Sequence, residues 1–205
     1  MDNILIIADV AGEYAALMEL LKKVPNEKKE NLIFVGDLND RGPKSKEVIK
    51  FAMEASNAIT LHSNHSDMLI DFCLKKGKYE YGIWLDPRNG GQKTIRSYKG
   101  TIPREVVAWL STRPMRYETE NLLITHAPIS PHPELEPDYK FGEFWNRNIP
   151  VPIPGKLQVF GHCGRWGIRR FEDDGKLFAI CIDQSYKKIL TGMHFPSLEL
   201  FEVPF

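Results

Sequence analysis

The chain is punctuated by short runs of apolar residues, each stopping on a polar turn. Ile4 to Ala8 ends on Asp9 and Gly12, Leu32 to Val35 on Gly36-Asp37, and Ala58 to Leu61 on His62-Ser63-Asn64-His65. A continuous apolar run has no side left for water, so as a strand it must be buried on both faces. Between the runs the apolar residues change to helical spacing. Ala16, Leu17, Leu20, Leu21 and Val24 precede Pro25; Val48, Ile49, Ala52 and Met53 share a face; Met68, Leu69, Phe72 and Cys73 follow Ser66 as a cap. Strands alternating with helices read as a parallel sheet with helices packed on it.

Residues 75–100 mix Gly77, Gly82, Gly90, Gly91 and Pro87 with aromatics and read as an irregular, cap-like insertion, followed by a helix from Pro103 to Leu110. Within it, the aromatics and Arg/Lys of the stretch from Tyr79 to Tyr98 either pack as a cap or stack on a base. Beyond Met115 the pattern turns to short strands: Leu122 to Thr125, Gln158 to Phe160, Ile168 to Phe171, Leu177 to Ile182 and Leu198 to Val203. Asp173-Asp174-Gly175 is a hairpin turn. The expected architecture is α/β, a parallel half followed by a mostly antiparallel half, packed as two sheets with helices outside. At 205 residues, with no internal repeat, the chain reads as a single domain, 1–205.

Charge narrows the partners. Lys+Arg and Asp+Glu are both 27, so no net basic field exists for general nucleic-acid binding or membrane adhesion. The opening MDNILIIADV has no basic segment and too short an apolar run for a leader or a span, which predicts a cytoplasmic protein. Cys73, Cys163 and Cys181 are an odd, scattered set that suits neither a disulfide framework nor a paired-cysteine zinc site.

Ligand sites in open α/β sheets form beyond the carboxyl ends of the strands. Collecting the residues there gives Asp9, Asp37, Asn64, His65, His126 and His162. Each has a plainer use: Asp9-Val10-Ala11-Gly12 is also an ordinary strand-to-helix turn, and a lone buried histidine more often packs than ligates. Together, two carboxylates, an amide oxygen and imidazoles suit a divalent ion of intermediate hardness such as manganese, iron or zinc.

Gly36-Asp37-Leu38-Asn39-Asp40-Arg41-Gly42 resembles the GDxxDRG motif of calcineurin-like metallophosphoesterases, especially the serine/threonine phosphatase branch. Asn64-His65 is similar to the GNH motif, Thr125-His126-Ala127 to the later metal histidine and Gly161-His162 to the GH motif. Trp145-Asn146-Arg147 resembles the phosphate-contacting segment of small phage and bacterial phosphatases and of symmetrical diadenosine tetraphosphatases. The likeness runs from Asp9 to about Asp183.

The resemblance implies two packed mixed β-sheets flanked by helices, an αββα sandwich. It implies two divalent metals, with manganese leading: Asp37 bridges both, Asp9 belongs to the first, and Asn64, His126 and His162 complete the second. His65 would be the general acid, held by Asp40, while Arg41 and Arg147, with Asn64, bind the phosphate. The implied activity is phosphoric-ester hydrolysis, with a phosphoserine or phosphothreonine protein as leading substrate and a dinucleoside polyphosphate as the alternative.

The family's first motif, GDxHG, reads here Ala8-Asp9-Val10-Ala11-Gly12. Ala11 has no lone pair where the family has a metal histidine, so the first site is expected to be weakened, with Glu13 and Tyr14 the nearest substitutes. Ala8 and Ser63 stand at family glycines, and Ser66 where an acidic residue is usual. These departures motivate a second reading: a binding module on the same fold with catalysis reduced.

Overall fold

A computed structural model of the chain describes residues 3–75, 82–130 and 139–205, with side chains in the last stretch described from 142 onward. The first sheet runs in the order β10-β9-β1-β2-β3, and the second in the order β4-β5-β6-β8-β7. In the first, β1 (Ile4–Ile7), β2 (Asn31–Phe34) and β3 (Ala58–Thr60) are parallel. The C-terminal strands β9 (Ile189–Phe195) and β10 (Glu199–Pro204) add antiparallel to β1. In the second, β5 (Leu122–Thr125), β6 (Leu157–Phe160) and β8 (Lys176–Cys181) are parallel, edged by the antiparallel β4 (Arg116–Glu118) and β7 (Arg169–Asp173).

Both sheets are therefore mixed. The expectation of a mostly antiparallel second half is corrected: β5, β6 and β8 pair in parallel, and the last hairpin returns to the first sheet. β9 escaped sequence reading because Thr191, Gly192 and His194 break its apolar run.

Burial on both faces explains the continuous apolar runs. Ile4 and Ile6 of β1 and Ile33 of β2 join Ile124, Val159 and Ile180 in a core between the sheets. Leu5, Ile7, Leu32 and Phe34 turn the other way, against residues of α1 (Tyr14–Lys23), α2 (Ser45–Glu54), α3 (Asn64–Leu74) and α5 (Arg104–Ser111). A smaller cluster of Phe160, Cys163, Phe171, Ala179 and Cys181 lies on the second sheet. All three cysteines are free thiols.

The span 75–100, read as irregular, includes a helix, α4 (Gly91–Ser97), and a buried Trp84; residues 76–81 of it lie outside the described residues. The last helix, α6 (Tyr139–Trp145), was not anticipated either. No helix among the described residues is long and apolar enough to cross a membrane.

Candidate active site

The parallel strands deliver their terminal residues to one place. Asp9 follows β1, Asp37 follows β2, Asn64 and His65 open α3 after β3, His126 follows β5 and His162 follows β6. All six are buried. The loops that carry them leave ordinary backbone geometry: Ala11, Asp37, Asp40, Arg41 and His162 all have φ between +40° and +72°. Non-glycine residues rarely adopt that region, and strain of this kind concentrates at functional sites.

Ser63, rather than Ser66, caps α3. Its hydroxyl accepts from the Ser66 N–H, and the Ser66 hydroxyl accepts from the Ser63 N–H. Ser66 thus fills the capping-box position usually given to Glu, and it fixes Asn64 and His65 on the first turn.

Asp37, Asn64 and His126 converge. His126 Nδ1–H donates to the Val35 carbonyl at 2.9 Å, so Nε2 keeps its lone pair. That lone pair faces Asn64 Oδ1 at 2.8 Å and Asp37 Oδ1 at 3.4 Å. Gly36 makes this approach feasible, since a Cβ there would stand 2.7 Å from His126 Nδ1. Burial pushes the His126 imidazole down to about 4, outweighing the attraction of Asp37. His162 is likewise pushed well down, by burial first and then by His126 and Arg147. Burial alone would raise Asp37, but His65, His126, Arg41 and His162 around it carry its carboxyl well below the usual range.

Neutral imidazoles beside an ionised carboxylate and an amide oxygen are a cation's donor set. Asp9, Asp37 and His126 also offer ligand atoms all within 4.8 Å of one another. The residues present therefore fit divalent metal.

His162 brings a second link. Its backbone N–H donates to Asp9 Oδ2 at 3.1 Å, and its Nε2 meets the Trp145 carbonyl at 3.2 Å. α6 supplies that carbonyl, and is tied to the His126 loop by the Ala127 N–H donating to the Glu143 carbonyl at 2.8 Å. Gly161 allows β6 to cross Asp9, because a Cβ would lie 2.2 Å from Asp9 Oδ1.

Around Asp37 sits a second arrangement. His65 Nδ1 is 2.5 Å from Asp40 Oδ2, while its Nε2 is 3.0 Å from Arg41 Nη2 and 3.8 Å from Asp37 Oδ2. Asp40 is fully buried and held from two further sides, by the Trp84 indole N–H at 2.8 Å on Oδ2 and by the Thr94 hydroxyl at 2.6 Å on Oδ1. Neither residue was picked out from the sequence; both sit in the segment taken for an irregular cap. Lys93 donates to the Arg41 carbonyl, so α4 also holds the backbone of that arginine. Arg41, Arg147 and His162 open together onto a cavity of about 370 Å³.

Asp183 was also missed, although it follows an apolar strand as Asp9 and Asp37 do. It is buried, accepts from the Ser185 N–H at 2.8 Å and hydrogen-bonds Asp9. Burial raises both carboxyls, and for Asp9 the charges of Asp183 and Asp37 add to that. Ala11 is buried with φ 49°, its N–H donating to the Asp37 carbonyl at 2.7 Å and its carbonyl accepting from Gly42 N–H at 2.7 Å. The loop therefore keeps its shape without the histidine. Tyr14 packs against the helical core and Glu13 is not among the convergent ligand groups, so neither takes the histidine's place in this arrangement.

Residues 3–172 match the sequence profile of the calcineurin-like phosphoesterases. The symmetrical bis(5′-nucleosyl)-tetraphosphatase of Vibrio parahaemolyticus is 31% identical over 133 residues, covering 64% of this chain and 46% of that protein. Its Coxiella burnetii counterpart is 32% identical over 133 residues, covering 63% and 43%. The chain thus spans under half the length of these relatives. The asymmetrical bis(5′-nucleosyl)-tetraphosphatase of Halalkalibacterium halodurans aligns over 97% of this chain and 92% of its own length, at 26% identity. Among solved structures, a candidate diadenosine tetraphosphatase superposes with a TM-score of 0.72 at 23% identity, covering 98% of this chain and 92% of its own. A metallophosphoesterase from Sphaerobacter thermophilus gives 0.63 at 14%, covering 98% and 88%. These two share the fold.

Proposed function

The chain belongs to the calcineurin-like phosphoesterases, and from that premise we propose that it is a metal-dependent hydrolase of dinucleoside polyphosphates. The observation that carries the chemistry is the convergence of unprotonated acceptors, Asp37 Oδ1, Asn64 Oδ1 and His126 Nε2, beside the His65–Asp40 pair. The substrate reading rests on relatives named for dinucleotides, one of them aligned along nearly the whole chain. A phosphoprotein, the expectation from the motifs, has no such support and becomes the alternative.

Asp37, Asn64, His126 and His162 would hold one cation, and Asp9 with Asp37 a second, less well held for want of a histidine at Ala11. When bound, such a pair supplies the Lewis acidity that polarises phosphoryl oxygens and activates an attacking water.

The remaining work falls to side chains of this protein. Arg41 and Arg147 present planar forks to phosphate oxygens. Asp40 fixes the His65 ring through Nδ1–H and leaves Nε2 facing Arg41 and Asp37. When Arg41 turns to a phosphate oxygen, Nε2 is free to take a proton, which Asp40 stabilises, and to pass it to the leaving oxygen.

The test is manganese-dependent hydrolysis of diadenosine tetraphosphate, with products separated chromatographically, alongside a phosphoserine peptide. AMP plus ATP marks asymmetrical cleavage and two ADP symmetrical cleavage. A peptide hydrolysed with the higher kcat/KM returns the substrate to phosphoproteins. In the same assays His65→Ala should cost about 10²- to 10⁴-fold on the phosphoserine peptide. The loss on the dinucleotide should be smaller, because a departing phosphate, with a pKa near about 6, needs a proton far less than an alkoxide does. Equal losses would remove His65 from the role of acid.

A further inference from the structure

The cavity at the two arginines is larger than one phosphate group needs, and its far wall is of a different character. Beyond Arg41, Arg147 and His162 it is lined by Arg165, Trp166 and Tyr186. These residues lie on the turns that follow β6 and β8, neighbouring parallel strands, so the fold sets them beside the convergent ligand groups.

Tyr186 is 60% exposed, an unusual state for a large ring beside a buried centre. The Arg165 guanidinium sits 5.2 Å from its ring centroid. Trp166 is braced edge-on by Phe160 at 6.3 Å and Phe171 at 5.8 Å, and still reaches the cavity wall. An aromatic ring and a guanidinium plane are both surfaces on which a nucleobase stacks, whatever its sequence identity. A volume of about 370 Å³ lies at the lower end of small-molecule sites, room for one nucleoside end of a substrate rather than two.

We propose that Tyr186, Arg165 and Trp166 form a nucleobase subsite that takes one nucleoside end of the substrate while Arg41 and Arg147 hold its adjoining phosphate. The inference rests on the dinucleotide reading above and adds where that substrate is recognised. The base-stacking candidate from sequence, Tyr79 to Tyr98, is not this surface: within it Trp84 and Thr94 hold Asp40, and residues 79–81 lie outside the described residues.

Binding that does not depend on turnover tests it. Calorimetric titration of the manganese-loaded protein would compare the phosphonate analogue of AMP, with methylene in place of the ester oxygen, and methylphosphonate, which has only the charged head. The nucleotide analogue should bind at least about tenfold tighter, and Tyr186→Ala should bring that ratio within about threefold of unity. Tyr186→Trp, which restores a stacking face, should keep the advantage. Equal binding of the two ligands, or a ratio unchanged in Tyr186→Ala, overturns the subsite. Loss of dinucleotide hydrolysis with the ratio intact would strike the proposed activity and leave the subsite standing. A phosphoserine peptide whose binding, rather than the nucleotide's, falls in Tyr186→Ala would reassign the surface to protein substrates.

Discussion

Ala11 is the residue whose change says most. Its φ of 49° lies where His, Asn and Asp are several-fold enriched among non-glycine residues, so the backbone remains shaped for the side chain it lacks. Ala11→His therefore asks for no change of backbone conformation at this position. The expected result is a first metal site tighter by at least about tenfold, measured by manganese titration and metal content per chain. No change in affinity would mean that the first cation has found other donors, with Asp183 beside Asp9 the group to test next. At this scale the sequence was informative where chemistry and position coincided. Asp9, Asp37, Asn64, His65, His126 and His162 stood at strand ends and carried ligand atoms. Asp183 obeyed the same rule but belonged to no recognised motif. Trp84 and Thr94 act through Asp40, and side chains that serve another side chain leave no periodic signal.

At the scale of elements, α4 and the turn before it form a brace. Trp84 packs on Phe72 of α3 at 5.1 Å between ring centroids and donates to Asp40, so one residue joins core and site. Trp84→Phe keeps most of the ring and deletes the donor. Losing a hydrogen bond to a charged group should cost about 1.5–3 kcal/mol of stability. Because Asp40 meets His65, the proposed acid, and would act on substrate only through it, kcat should fall about tenfold with KM nearly unchanged. A variant that changes KM alone would show that the brace shapes binding instead. This helix was illegible because Gly90-Gly91 and Pro87 read as loop formers, whereas β1, β2 and β5 were plain from their unbroken apolar runs. α6 follows a stretch rich in proline, and β9 is interrupted by Gly192 and His194; both owe their form to packing that propensity does not record.

The whole molecule gathers the carboxylates of Asp9, Asp37 and Asp183 among its buried acidic groups, and the first and last of these are raised by burial. A raised carboxyl stabilises the fold at low pH and loses that contribution as pH rises through its folded value. His126, pushed down to about 4, has the opposite sign: its contribution is whole above the unfolded value and is lost as pH falls from 6.5 toward 4. A cation neutralises the carboxylates and competes with protons for Asp9, whose protonated form burial favours. Chelation should therefore lower Tm markedly at pH 7.5 and much less at pH 5, read by thermal unfolding with and without chelator. An equal shift at both values would mean that the metal does not use these groups. The pairing of β1 with β9 carries one more consequence. Ile6 lies opposite Met193, and the Ala8 N–H donates to the Thr191 carbonyl at 2.9 Å, immediately before Asp9. During synthesis, the strand that bears Asp9 leaves the ribosome long before its neighbour does. A nascent chain still lacking residues 189–195 cannot complete that side of the sheet, so the turn at Asp9 is expected to reach its final place only after β9 has emerged.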